Sequence, residues 1–159
     1  MYTVFFLALA IIAAGINLAL TKKKRTTKLV IDTFLLYLFV IFVGLNGLLA
    51  FYGHAFMADQ VAMKIGWQPG SPFQFEVAVS DLAFGVLGIL CFWFRGNFWL
   101  ATGIGNAIFL LGAAFGHIRE MMKGNLAPYN TGAVLFVGDI FMPLLIITLL
   151  IVSRRLEKQ

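Results

Sequence analysis

The sequence contains too few charged residues to form the surface of a water-soluble domain. Only 12% of its 159 residues are charged, whereas 61% are hydrophobic and the mean hydropathy is +0.93. Soluble domains contain about 25% charged residues, so this composition excludes a soluble enzyme or binding domain. Membrane-spanning helices of about 20 residues would use most of the chain. The sequence therefore predicts a single transmembrane domain over residues 1–159.

Residues that usually hold redox cofactors are also scarce. The one cysteine, Cys91, lies in an apolar run and cannot form an internal disulfide, so we expect a small buried side chain. The two histidines lack the paired spacings of metal or haem sites, and Gly103-Ile104-Gly105 lies inside an apolar span with no preceding strand. The sequence thus has no haem, flavin or nucleotide motif. A divalent metal held by residues from different helices stays open.

Basic residues are few, and their distribution predicts an orientation in the cell membrane. The net charge is +5, but the basic residues cluster at helix ends, so we predict the lipid bilayer and not nucleic acid as their partner. Lys64, Arg119 and Lys123 fall on one side of the predicted membrane. The positive-inside rule therefore predicts an extracytoplasmic N-terminus and a cytoplasmic C-terminus. The nine basic residues on the cytoplasmic side are Lys22, Lys23, Lys24, Arg25, Lys28, Arg95, Arg154, Arg155 and Lys158.

Five apolar runs are long enough to cross a bilayer as helices. A secretory signal peptide has its positive charge before the apolar region, whereas Lys22 to Arg25 follow the first run, so we predict a retained helix. The fold class is therefore an all-α, multi-pass membrane bundle of about five helices. The predicted spans are 1–20, 29–52, 73–94, 98–118 and 131–153.

The last four spans have features of two copies of one helical hairpin. The second span ends in a Gly-His pair at His54 and the fourth in another at His117. Each is followed by a loop that contains proline and then by a span with an aspartate, Asp81 or Asp139. A tandem repeat would form a four-helix core with a pseudo-two-fold axis along the membrane normal, and the first helix would be peripheral.

Polar residues within the apolar spans are the strongest functional signal. A carboxylate in a transmembrane helix costs about 2.5–3.5 kcal/mol on insertion scales, so it persists where it faces the bundle interior. Asp32 follows Lys28 by four residues, and a local ion pair accounts for it. The remaining polar groups fall in the extracytoplasmic half and predict a pocket that opens outward. Its predicted ligand-binding residues are Asn46, Glu76, Asp81, Asn106, His117, Arg119, Asn130 and Asp139.

Three functions are compatible with such a pocket, and whether the protein is an enzyme stays open. The first is the binding of a small polar ligand or cation, including a divalent metal held by His54, His117, Glu76 and Asp139. The second is a structural or accessory role in a homo-oligomer or membrane complex, in which the polar residues only hydrogen-bond between helices. The third is a quinone-linked oxidoreductase subunit, in which a buried acid beside a histidine relays protons.

Local motifs predict details of the helices and their packing. The segment Ser71-Pro72-Phe73-Gln74 has the residues of a capping box with proline at the first helical position. Pro143 predicts a kink in the fifth span. Small residues let helices approach closely, and the predicted contacts of this kind are at Gly85 with Gly88 and at Gly112 with Gly116.

The middle of the chain resembles a known family. Over about residues 66–139 it resembles an uncharacterised family of small prokaryotic membrane proteins, a domain of unknown function. The hairpin layout also resembles that of the DoxX-like four-helix membrane proteins, a likeness of architecture that does not transfer function. The family resemblance implies a multi-helix bundle and supplies no activity. It is carried by Gly66-Trp67, Gly70-Ser71-Pro72-Phe73-Gln74-Phe75-Glu76, Phe84-Gly85-Val86-Leu87-Gly88, Phe98-Trp99-Leu100-Ala101-Thr102-Gly103-Ile104-Gly105 and Gly116-His117-Ile118.

Overall fold

The computed structural model describes residues 2–158, which form helices and no strand. Five of the helices, α1, α2, α4, α5 and α7 below, are long and apolar enough to cross a membrane and suggest a multi-pass membrane protein. The predicted all-α fold is confirmed, while Met1 of the first predicted span lies outside the described residues. In chain order the helices are α1 (Tyr2–Leu20), α2 (Thr27–Phe56), α3 (Ala58–Ile65), α4 (Phe73–Leu90), α5 (Asn97–Met122), α6 (Pro128–Thr131) and α7 (Val134–Glu157).

The helix ends differ from the predicted spans where turns interrupt the apolar runs. α4 ends at Leu90 instead of residue 94, because the chain turns there toward Gly96, whose φ of 63° favours glycine. α5 continues to Met122, beyond the predicted end at residue 118, and stops before Gly124, which has a φ of 89°. The predicted capping box at α4 is wrong, since Pro72 precedes the helix and no side chain caps it.

Two of the long helices contain an eight-residue π-helical segment. These segments are Leu38–Leu45 in α2 and Val134–Phe141 in α7. At the end of each, the N–H of Asn46 or Met142 donates to the carbonyl five residues earlier. The π-helix is rare, occurs mostly as single-turn bulges inside α-helices, and is frequent at functional sites. The residues in and next to both segments are therefore candidates for a functional site.

Pro143 accounts for part of the irregularity in α7. Proline has no N–H, so Pro143 cannot donate the α-helical hydrogen bond to the carbonyl of Asp139. The π-helical segment ends at Phe141, just before this proline. The change in helix type therefore lies beside Pro143 and includes the buried Asp139, while the kink predicted at Pro143 stays a prediction.

Glycines bring α2 and α4 into backbone contact. A Cβ built on Gly88 would lie 2.5 Å from the backbone nitrogen of Gly44, and one built on Gly85 would lie 2.9 Å from the α2 backbone. The close approach predicted at Gly85 and Gly88 is therefore confirmed. The one predicted at Gly112 and Gly116 is wrong, because no neighbour lies within 4 Å of a Cβ built on either residue.

The bundle has two unlike ends. We name the two ends after the interior of the bundle and not after its surface. The end with the α1–α2 and α4–α5 connections is the apolar end, and the end with the α2–α4 and α5–α7 connections is the polar end. At the apolar end Trp99 Nε1 donates to the carbonyl of Cys91 over 2.8 Å, and Cys91 is buried as expected. The predicted Lys28–Asp32 ion pair is also confirmed, at 2.6 Å. The core of this end includes Leu35, Leu38, Phe39, Ile146 and Leu150.

α1 is not simply peripheral to the other four long helices. Ala10 and Ala14 are buried against the bundle, and a Cβ on Gly138 of α7 would lie 3.2 Å from the Thr3 side chain. Its first turn therefore forms part of the polar end. The π-helical segments lie in the second and fifth long helices, which do not correspond in the proposed tandem repeat. The repeat stays a prediction.

Candidate ligand-binding cavity

A cavity of about 810 Å³ lies between the helices at the polar end. All five long helices contribute to its wall, and its size is within the range of small-molecule sites. Most of the wall is aliphatic and aromatic, with polar groups placed among these side chains. Six of the eight predicted ligand-binding residues line it: Asn46, Asp81, Asn106, His117, Arg119 and Asp139.

His117 and Asn130 form the best-defined polar contact in this region. The Asn130 amide nitrogen donates to the carbonyls of Ile65 and Asn125, each over 3.0 Å. Its oxygen therefore faces His117, whose Nδ1 donates to it over 2.7 Å. Asn130 is fully buried and does not line the cavity. It holds the imidazole ring in place and is not itself in the cavity wall, although the sequence had predicted it to be.

The other nitrogen of His117 faces a carboxyl group. His117 Nε2 lies 3.7 Å from Asp139 Oδ2, which is longer than a hydrogen bond. Because Nδ1 carries the proton in the bond to Asn130, Nε2 of a neutral ring is an acceptor. Nε2 and an ionised Asp139 are then two neighbouring acceptors with no donor between them in the described part of the chain. A donor group placed near both atoms could hydrogen-bond to each.

Two acceptor atoms of the cavity-lining residues have no hydrogen-bond partner within residues 2–158. They are Asn46 Oδ1 and Asp139 Oδ2, both buried. Buried polar atoms are nearly always paired, and leaving one unpaired costs about 1–3 kcal/mol. Asn46 directly follows one π-helical segment and Asp139 lies within the other. A third atom of this kind, Gln74 Nε2, belongs to a side chain outside the cavity wall.

A second carboxyl group adds to the acidic character of the cavity. Asp81 of α4 lines it together with Asp139 of α7. Asn106 of α5 contributes a buried amide to the wall. Apart from Glu120, which pairs with Lys123, the cavity thus has two carboxyl groups and two amides, and a positive charge placed between the two carboxylates would interact favourably with both.

His54 is held in a way that parallels His117. Its Nδ1 donates to the side-chain oxygen of Gln74, which is buried at the start of α4. In both cases an amide near the start of the next long helix binds the histidine that closes the preceding one. The two partners, Gln74 and Asn130, lie 20 and 13 residues after their histidines, and the repeat stays a prediction.

The mouth of the cavity is charged and aromatic. Arg119, which the sequence assigns to the pocket, is exposed there, and Lys123 pairs with Glu120 over 2.7 Å. Tyr2 and Tyr129 also line the cavity, with ring centroids 6.3 Å apart. Sequence reasoning missed both tyrosines, because neither lies at a recognisable spacing from a predicted site residue.

Glu76 and the predicted metal ligands are placed differently from the rest. Glu76 is exposed on α4 and does not line the cavity. Among residues 2–158, no group of three or more His, Cys, Asp and Glu side chains is arranged to hold a metal ion. Of the predicted metal ligands His54, His117, Glu76 and Asp139, the structure brings His117 and Asp139 within 4 Å of each other.

Comparison with known proteins places the chain in a family. Over residues 1–159 it matches the model of a family of unknown function, DUF6790, and it belongs to that family. No curated protein and no solved structure matches it significantly. The predicted membership of an uncharacterised family is confirmed. The likeness in layout to DoxX-like proteins stays a prediction.

Proposed function

We propose that this member of the DUF6790 family binds a small molecule carrying hydrogen-bond donors or a positive charge in the cavity at its polar end. The supporting observation is the pair of buried acceptors without partners, Asn46 Oδ1 and Asp139 Oδ2, in residues of the cavity wall. Acceptors need donors, and an ammonium, amide or hydroxyl group on the ligand would supply them.

The charges around the cavity favour a cation over a neutral donor. Asp81 and Asp139 both line the cavity, and a bound ammonium group would be attracted to both side chains in their ionised form. The Nε2 atom of His117, held toward Asp139 by Asn130, offers a further acceptor. Arg119 remains at the exposed rim, where solvent weakens its repulsion of a cation.

The proposal also includes an orientation in the membrane. The basic residues at the apolar end place that end in the cytoplasm by the positive-inside rule, so the cavity opens to the outside. Gln68 and Lys24 are exposed on connections at opposite ends. In intact cells, a membrane-impermeant maleimide should label Gln68→Cys and not Lys24→Cys, while buried Cys91 stays unlabelled. The reverse pattern would contradict the orientation.

Ligand-dependent stabilisation tests the binding site directly. We expect butylammonium chloride at ten times its Kd to raise the melting temperature of the purified protein by about 3 °C, since a ligand that binds only the folded state stabilises it. Butanol serves as the uncharged probe. Asp139→Asn should remove the shift, whereas Asp32→Asn, which changes a carboxylate at the opposite end, should retain it.

Two results would contradict the proposal. One is the absence of a shift with either probe in the wild type. The other is an equal shift in the wild type and Asp139→Asn, which would place the ligand elsewhere. The alternatives of an accessory subunit, a homo-oligomer and a quinone-linked oxidoreductase stay predictions, since no observation favours them over the cavity.

A further inference from the structure

The cavity also indicates what kind of molecule carries the donor. We infer that the ligand is a single-chain amphiphile, with its donor head near Asn46, Asp81 and Asp139 and its hydrocarbon tail leaving sideways between α4 and α5. This inference rests on the proposed function and adds the chemical class of the ligand and its route into the site.

The first observation is that α4 and α5 diverge toward the polar end. At mid-height the rings of Phe84 and Phe109 stack with centroids 5.5 Å apart. A Cβ on Gly105, one turn below Phe109, would lie 3.2 Å from the Phe84 ring. Further toward the polar end, Gly112 and Gly116 of α5 have no neighbour within 4 Å of a Cβ position. The two helices therefore touch at the Phe84–Phe109 stack and leave a gap above it.

The second observation is that this gap is continuous with the cavity. Gly112 and Gly116 both line the cavity wall. Ile108 of α5 and Phe73 of α4 also line it, yet they are 70% and 52% exposed. Cavity-lining side chains with this much exposure mark an opening. This opening lies between two membrane-length helices, so in a bilayer it would face lipid.

The third observation is the size of the cavity and the character of its opening. The unpartnered acceptors come from α2 and α7, whereas the residues at the opening, among them Phe73 and Ile108, are apolar or glycine. A volume of about 810 Å³ is far larger than a bare cation needs and falls in the range for drug-sized molecules. A polar head with a tail fits this arrangement better than an ion or a compact polar solute.

Glycines allow the opening to be closed without disturbing a helix contact. Leucine at position 112 would enter open space and would favour the helix more than glycine does. Gly116→Leu is a second variant of the same design. Gly15→Leu on α1 is the matched control, because Gly15 also has no neighbour within 4 Å but does not line the cavity.

The experiment compares octylamine with butylamine on the full-length protein in zwitterionic lipid nanodiscs. We expect octylamine to bind the wild type and Gly15→Leu at least about tenfold more tightly, because four further CH2 groups gain apolar contacts. Gly112→Leu and Gly116→Leu should lose that advantage, whereas Gly15→Leu, outside the cavity wall, should keep the wild-type affinity for both amines. Partitioning into lipid is the same for every variant, so it cancels in the comparison.

The outcomes separate this inference from the proposed function. Equal affinity for the two amines in the wild type, or undiminished octylamine affinity in both cavity variants, would overturn the amphiphile and leave a site for small donors. A change from dimer to monomer in Gly112→Leu with undiminished octylamine affinity would also overturn it, because the gap would then hold a second copy of the chain. Binding of neither amine would overturn the proposed function itself.

Discussion

The two ends of the bundle each contain an aspartate on a long helix, and the two aspartates differ in their partners. At the apolar end Asp32 accepts from Lys28 over 2.6 Å and from the hydroxyl of Ser153. At the polar end Asp139 Oδ2 has no hydrogen-bond partner within residues 2–158, and His117 Nε2 lies 3.7 Å away. A carboxylate with two partners holds helices together, whereas one whose buried oxygen has no partner leaves a hydrogen bond unmade.

Packing also differs between the two ends, because the apolar end has a cluster of buried side chains and the polar end has a large cavity. Phe39 and Trp99 meet at the apolar end with ring centroids 5.6 Å apart, within a cluster of buried apolar side chains. The polar end has the cavity of about 810 Å³, with π-helical segments adjoining Asn46 and containing Asp139. Unfilled core volume destabilises a protein in rough proportion to its size. A space this large is therefore more readily explained by a ligand than by stability.

The largest predicted effect tests whether stability comes from the apolar end. Phe39→Ala should lower the free energy of unfolding by about 3 kcal/mol, because it removes a fully buried ring that packs against Trp99. Phe115→Ala, at a side chain that is 70% exposed, is the control and should change it by less than about 0.5 kcal/mol. Denaturant unfolding in detergent followed by circular dichroism measures both. If the two variants lost the same free energy of unfolding, the buried side chains around Phe39 would not be the stabilising core.

The next largest predicted effect tests Asn130, which is buried at the polar end with all of its side-chain hydrogen bonds made within the protein. Asn130→Ala should destabilise by about 2 kcal/mol, since the carbonyls of Ile65 and Asn125 and the Nδ1 of His117 lose their partner. Amine binding should also weaken, because His117 loses its fixed orientation. Asn17→Ala, which removes an exposed amide that donates to Tyr37, is the matched control. A loss of binding without a loss of stability would make Asn130 a ligand contact instead.

Sequence reasoning succeeded where a single helix carries the information. Apolar run lengths gave the five long helices, and polar residues within them gave six of the cavity-lining residues, because such residues must face the bundle interior. Periodicity alone could also have excluded Glu76. It precedes Asp81 by five residues, which is about 140° around a helix of 3.6 residues per turn. The two side chains therefore lie on different faces, and only Asp81 lines the cavity.

Sequence reasoning failed where two distant segments decide the structure. Gln74 has the position of a capping-box residue, but it hydrogen-bonds His54, which lies 20 residues earlier in the chain. Gly112 and Gly116 have the spacing of a helix contact, yet α4 has already diverged from them at that height. Neither outcome follows from local propensity, because each depends on where another helix lies. Only Pro143 gave a local sign of a π-helical segment.

A smaller effect compares the two aspartates directly. In the absence of ligand, Asp32→Asn should destabilise by about 1 kcal/mol, because it loses the charge paired with Lys28. Asp139→Asn should leave the melting temperature unchanged or raise it, since an amide can donate toward His117 Nε2 where the carboxylate has no partner. Thermal unfolding of both variants under one set of conditions is the measurement. If Asp139→Asn were the more destabilising variant, Asp139 would hold the helices of the polar end together. That result would favour a structural or accessory role over ligand binding.

The smallest effect compares two glycines in the long helices. Gly112→Ala should stabilise by about 0.5–1 kcal/mol, because alanine favours the helix and its methyl group meets no neighbour. Gly88→Ala should destabilise despite the same gain in propensity, since its Cβ would lie 2.5 Å from the Gly44 backbone nitrogen and force α2 and α4 apart. Melting temperatures of the two variants decide the matter. If Gly112→Ala were destabilising too, α4 and α5 would be in contact at that height, and the opening between them would not exist in the folded protein.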